Sequence, residues 1–211
     1  MSQENAQGGL RDVLVGARVL PVLTVGEPGR AIALIRALAE GGLRVVEITL
    51  RSPKALATVE KVIRACPEVT VGVGTVLDGD QLRAAEGVGA RFAVSPGLTA
   101  DLVHAAWQGE IPWLPGVATV SEAMTAAAEG FPVQKLFPAA VLGGVALLKA
   151  LRGPLPRLSF CPTGGIGAAS YRDYLAQPNV LCVGGSWMVP TETVAAEDWP
   201  RITHLAKEIT P

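Results

Sequence analysis

Histidine and cysteine are scarce in this 211-residue chain, and each shortage closes off a class of chemistry. The three cysteines, Cys66, Cys161 and Cys182, are widely spaced and form no CxxC pair, so the sequence offers neither a zinc site nor a disulfide framework. Reduced thiols in a cytoplasmic protein are the expectation. The two histidines, His104 and His204, fall in helical stretches without ligand spacing. That removes a histidine-rich metal site and a serine–histidine–acid triad, and neither a metal nor a bound cofactor is expected. A net charge of −1 provides no field to draw nucleic acid or anionic lipid. No apolar run approaches about 20 residues and no leader-like run opens the chain, so a soluble, unexported protein acting on a small molecule is expected.

What is present is apolar: 49% of the residues are hydrophobic and only 18% charged, enough to bury one sizeable core, so residues 1–211 read as a single domain. Residues 1–9 are polar and Gly-rich and read as a flexible N-terminus, followed by a short helical lead-in over 10–15. After that a pattern repeats: an apolar, β-branched run, a turn, then an Ala- and Leu-rich helix. Strands are predicted near 19–24, 44–50, 69–74, 90–95, 111–116, 133–138, 158–162 and 180–184. Helices are predicted near 28–41, 53–65, 79–87, 100–109, 120–129, 144–151, 169–176 and 199–209. Alternation of this kind demands parallel pairing. Eight units fit a closed (β/α)8 TIM barrel, with an open doubly wound sheet as the competing arrangement. Reactive or turn-forming residues follow nearly every strand, and a barrel gathers them all around one mouth, which favours the barrel.

Of the five lysines, Lys54, Lys61, Lys149 and Lys207 sit in helical, solvent-facing contexts. Lys135 instead lies inside an apolar strand between Val133 and Phe137, where an unpaired ammonium would cost several kcal/mol. A desolvated lysine lowers its pKa from about 10.4 toward roughly 7–8, which frees an amine to attack a carbonyl carbon. Among the nineteen acidic residues only Glu47 falls in a predicted strand. One carboxylate beside a lysine relays protons but cannot by itself hold a catalytic metal tightly. The competing reading of the two residues is a structural ion pair.

Anion binding is expected at three places. Arg51, just beyond the second strand, can clamp a carboxylate or phosphate bidentately. Thr163-Gly164-Gly165 and Gly184-Gly185-Ser186 follow the last two strands, where barrels seat phosphate on backbone N–H groups. Each glycine pair alone is ordinary turn chemistry; their occurrence in adjacent loops is what points to phosphate. Trp187 reads as core or rim packing rather than a substrate platform.

Together Glu47-Ile48-Thr49-Leu50-Arg51, Gly74-Thr75-Val76, Ser95-Pro96-Gly97, Lys135-Leu136-Phe137-Pro138-Ala139, Cys161-Pro162-Thr163-Gly164-Gly165-Ile166 and Gly184-Gly185-Ser186-Trp187 resemble the 2-keto-3-deoxy-6-phosphogluconate (KDPG) aldolase family, which includes 4-hydroxy-2-oxoglutarate aldolases. The resemblance runs in order over nearly the whole chain. It implies a class I aldolase on a (β/α)8 barrel, a homotrimer, cleaving the phosphorylated keto acid to pyruvate and glyceraldehyde 3-phosphate. It also implies Lys135 as the imine-forming residue and Glu47 as general acid/base. Arg51 and Thr75 match positions at the pyruvate carboxylate, Pro96 and Phe137 match pocket-lining positions, and Thr163 matches a position that orients substrate hydroxyls. Gly164, Gly165, Gly184, Gly185 and Ser186 match the phosphate end. The chain departs from the family at Leu136, where an aromatic is common, and at Ala140, where a glutamate is common. Three alternatives stand beside this reading: an unphosphorylated 4-hydroxy-2-oxo acid or the galactonate epimer as substrate, a phosphosugar isomerase with Glu47 as base, and a non-enzymatic barrel that binds a phosphorylated metabolite.

Overall fold

The computed structural model describes residues 3–210. Nine strand segments alternate with helices: β1 Val19–Leu23, β2 Val45–Thr49, β3 Thr70–Gly74, β4 Phe92–Val94, β5 Trp113–Leu114, β6 Gly116–Val117, β7 Val133–Leu136, β8 Ser159–Pro162 and β9 Val183–Gly185. All pairings are parallel, and β1 pairs with both β2 and β9. Single bridges from Phe160 to Val180 and from Thr163 to Gly184 join β8 to β9, so the sheet closes on itself as a (β/α)8 barrel. β5 and β6 are one strand interrupted at Pro115, which has no N–H to give the ladder. Its carbonyl still accepts the Lys135 N–H at 2.8 Å.

The helices α2 Pro28–Glu40, α3 Ala55–Ala65, α4 Gly79–Gly87, α5 Ala100–Gln108, α6 Val120–Ala128, α7 Gly144–Arg152, α8 Tyr171–Leu175 and α10 Trp199–Lys207 surround the strands, close to their predicted bounds. Several loops at the strand carboxyl ends finish in a capping side chain: Asp78, Thr99 and Thr119 accept from the backbone N–H of Gln81, Leu102 and Glu122. At α6 the Glu122 carboxylate returns the contact to the Thr119 N–H, a capping box. Those backbone donors hold the Glu122 carboxyl below its ordinary range, the Ala118 N–H contributing most. No helix among the described residues is long and apolar enough to cross a membrane.

Although the strands are nearly continuous apolar runs, their two faces are sorted by the two-residue alternation of extended chain. Val46, Ile48, Val71, Val73, Leu136 and Phe160 face the helices in the main core. Leu20, Phe92, Val94, Leu114, Val133, Cys161 and Cys182 fill the barrel interior. Inward-facing glycines make room there: a Cβ on Gly72 would fall on the Phe92 ring, and one on Gly184 on the Thr163 side chain.

Two expectations need correction. Residues 1–9 were expected to be a flexible terminus, but α1 runs Gln3–Ala17, while Met1 and Ser2 lie outside the described residues. Leu10 and Leu14 of α1 join the interior cluster, and buried Gln7 donates from Nε2 to the Trp113 carbonyl at 3.0 Å. The helix is thus a plug for the amino-terminal end of the barrel, and packing overrides the poor helix propensity of Gly8 and Gly9. The second correction is α9 Thr191–Ala195, a short helix after β9 that the sequence reading left unassigned.

Leu14→Ala should lower the unfolding free energy by about 2–5 kcal/mol, whereas Val15→Ala, at a half-exposed neighbour, should change it by about 0.5 kcal/mol or less. Urea denaturation midpoints check this; equal midpoints for the two variants would rule out the plug.

Candidate functional site

Alternation within β2 turns Val45, Glu47 and Thr49 inward, and within β7 it turns Val133 and Lys135 inward. Glu47 and Lys135 are 1% and 5% exposed, the only buried carboxylate and the only buried ammonium among the described residues. They meet across the lumen, with Lys135 Nζ donating to Glu47 Oε1 at 3.2 Å. The other carboxylate oxygen, Oε2, is buried and has no hydrogen-bond partner. The Phe137 ring centroid lies 5.4 Å from Nζ, so one flank of the ammonium faces an aromatic surface.

Gly74 makes this arrangement possible. A Cβ at Gly74 would overlap the Glu47 carboxylate, so the end of β3 must be bare for Glu47 to lie where it does. The Gly72-Val73-Gly74 alternation was the available sequence signal for this, and the motif reading passed over it. Thr75 follows with φ 59°, a left-handed conformation that costs a β-branched residue about 1–3 kcal/mol and that clusters at functional sites.

The remaining expected residues follow the carboxyl ends of the strands, at the same end of the barrel. Gly116 pairs with Lys135, and a Cβ on Gly116 would strike the Pro96 carbonyl, which places the Ser95-Pro96-Gly97 turn beside the lysine strand. Thr163 is buried and bridges to Gly184, so the loop carrying Gly164 and Gly165 lies next to the one carrying Gly185 and Ser186. Gly164 and Gly165 both have positive φ, 98° and 73°, which only glycine adopts freely, and they stack on the Phe137–Ala140 segment through Ala139 N–H to Thr163 O and Ala140 N–H to Gly164 O. Gly185 leaves room for the Trp187 ring to fold back, stack on Tyr171 and pack against the main core.

On the rim over β1 a cavity of about 290 Å³ is lined by Thr24, Arg51, Ser186 and Thr191, with apolar side chains completing its wall. Arg51 and Ser186 thus share one cavity, although the resemblance allots them to opposite ends of a substrate. Arg51 is exposed and makes no ion pair among the described residues. Larger grooves lie between α2 and α10 and at the opposite end of the barrel, away from the buried pair.

The barrel also brings together two cysteines that the sequence separates. Cys182 Sγ donates to Cys161 Sγ at 3.0 Å in the interior beside the lysine strand, and this hydrogen bond, together with burial, holds the Cys182 thiol well above its ordinary range. A thiol so held is protonated and a poor nucleophile. His104 and His204 are exposed on helices, and no cluster of metal-ligating side chains occurs among the described residues.

The chain as a whole is similar to known proteins. A model of the KDPG and KHG aldolase family matches residues 10–205. The KHG/KDPG aldolase of Escherichia coli K12 is 45% identical over 205 residues, 97% of this chain and 96% of the relative. The KDPG aldolase of Legionella pneumophila, with pyruvate captured as a covalent carbinolamine, superposes with a TM-score of 0.93 at 43% identity, covering 95% of this chain and 98% of the other. The KDPG aldolase of Zymomonas mobilis ZM4, solved with 3-phosphoglycerate, superposes with a TM-score of 0.86 at 42% identity, covering 94% and 93%.

Removing one member of the buried pair leaves the other uncompensated, so Lys135→Met and Glu47→Leu should each destabilise the fold by about 3–5 kcal/mol, and the double variant by less than either. Urea denaturation of the four proteins decides this. Additive losses would mean that the two charges are not coupled.

Proposed function

This chain belongs to the KDPG and KHG aldolase family, and on that footing we propose that it is a metal-independent class I aldolase that cleaves 2-keto-3-deoxy-6-phosphogluconate to pyruvate and glyceraldehyde 3-phosphate. The observation that carries the reading is the buried Lys135–Glu47 pair at the carboxyl ends of the strands, in a chain so similar to one whose active site held pyruvate as a carbinolamine. The isomerase and pure binding alternatives leave Lys135 no task beyond its ion pair with Glu47.

In this mechanism the unprotonated amine of Lys135 attacks the 2-oxo carbon, and Glu47 moves protons as the carbinolamine loses water to become an iminium ion. The unpartnered Oε2 of Glu47 then takes the proton of the C4 hydroxyl. The C3–C4 bond breaks, its electrons flow into the iminium, and the aldehyde leaves. Protonation of the resulting enamine at C3 and addition of water release pyruvate and restore the lysine. Arg51 and Thr75 serve the pyruvate carboxylate, Pro96 and Phe137 wall the pocket, and Thr163 orients a substrate hydroxyl. The glycines of the two last loops, with Ser186, hold the phosphate. Support for this last assignment is the adjacency of the two loops through the Thr163–Gly184 bridge.

The same chemistry on 4-hydroxy-2-oxoglutarate is the second reading, and the dual name of the Escherichia coli relative favours it. We also propose a homotrimer in the cytoplasm. Support for an assembly is the apolar stripe of exposed Val120 and Met124 on α6, with exposed Trp107 packed against Gly130 just beyond that helix.

Incubation with pyruvate and borohydride, followed by peptide mass mapping, should place a stable adduct on Lys135 and none in Lys135→Ala. Absence of an adduct, or an adduct elsewhere, rejects the mechanism. Ser186→Asp should lower kcat/KM for the phosphorylated substrate at least about tenfold while sparing 4-hydroxy-2-oxoglutarate, since a carboxylate beside the phosphate repels it. Light scattering should give the mass of three chains, reduced in Trp107→Lys/Met124→Lys; a monomer mass for the unaltered protein would refute the assembly.

A further inference from the structure

We infer that Thr24 is a specificity-determining residue, reading the C5 hydroxyl of the substrate chain by accepting its hydrogen bond; the inference rests on the aldolase reading above. Thr49 is fully buried two residues beyond Glu47 on the same inward face of β2, and its hydroxyl donates to the Leu23 carbonyl at 3.0 Å. A threonine hydroxyl has a single hydrogen. In the 3.1 Å contact between the Thr24 and Thr49 hydroxyls, Thr24 must therefore be the donor. Its one proton is committed, and toward any further partner in the rim cavity that Thr24 lines its oxygen can only accept.

That polarity selects among the groups of a phosphorylated hydroxy-oxo acid. The carboxylate and phosphate oxygens are acceptors and gain nothing from an acceptor. The two hydroxyls are the donors, and the C4 hydroxyl gives its proton to Glu47 in the cleavage step. The C5 hydroxyl remains. Position agrees with polarity. Val22 is in register with Glu47, so Thr24, two residues further along the chain, stands one layer nearer the mouth. It shares the rim cavity with Ser186, at the proposed phosphate end, and with Arg51, at the proposed carboxylate end. Thr24 thus lies between the carbon that is cleaved and the phosphate that anchors the chain, which is where C5 falls. The sequence alone does not single out Thr24, because the donor assignment depends on the Leu23 carbonyl, visible only in the folded chain.

The test runs the reaction in the condensing direction, with pyruvate and either D-glyceraldehyde 3-phosphate or 3-oxopropyl phosphate, the same aldehyde without the hydroxyl that becomes the C5 hydroxyl. Thr24→Val should lower kcat/KM for glyceraldehyde 3-phosphate by about tenfold relative to its effect on the deoxy aldehyde, chiefly through KM, as loss of one hydrogen bond predicts. Thr24→Ser, which keeps the hydroxyl, should restore the preference. Equal losses on the two aldehydes, or no loss on either, would overturn the assignment while leaving the aldolase reading intact. If the unaltered protein condensed neither aldehyde, the aldolase reading would itself fail, and this inference with it.

Discussion

An ammonium and a carboxylate taken out of water into a lumen of aliphatic side chains set the terms for the rest of this molecule. Each charge alone would be costly to bury, and together they are tolerated because Lys135 Nζ and Glu47 Oε1 lie 3.2 Å apart. That single contact links strands 88 positions apart in the chain, so it forms only when the sheet has curled far enough to bring β2 and β7 to face each other. The pair therefore belongs to the closed barrel and to no local segment. Its chemistry has the same origin: a carboxylate on the surface would have no unpartnered, desolvated oxygen to offer.

Small residues make the closure possible. Gly74 yields its side-chain volume to Glu47, Gly72 to Phe92 and Gly184 to Thr163, so the lumen is packed by side chains from some strands lying over bare positions on others. At the lower end Leu10 and Leu14 of α1 complete the packing, and at the upper end the Thr163–Gly165 loop and Phe137–Ala140 segment brace each other through two backbone hydrogen bonds. The mouth is consequently rigid where the buried pair sits and open where Arg51, Ser186 and Thr24 meet the rim cavity.

The repeating order of strands and helices was legible in the chain because the signals are local: β-branched runs, Ala- and Leu-rich helices, and capping residues such as Thr119 with Glu122 three positions on. Lys135 and Glu47 stood out for an equally local reason, since a charge inside an apolar run is an anomaly that the fold has to resolve. The N-terminal helix was missed because its Gly8-Gly9 pair is a poor helix former, and only the exposed end of the barrel it plugs makes it fold. Cys161 and Cys182 are widely spaced in the chain, and only closure of the sheet brings their sulfurs to 3.0 Å.

By itself, then, the sequence determined the parallel α/β repeat, the identity of the two buried charges and the strand ends at which reactive groups collect, because each depends on neighbours within a few residues. Tertiary structure alone decided that the two charges touch, that Gly74 clears the space for one of them, and that Arg51, Ser186 and Thr24 share a cavity. Those facts depend on register and closure around the barrel, where residues distant in the chain meet and where a hydroxyl's direction is fixed by a carbonyl on the adjacent strand.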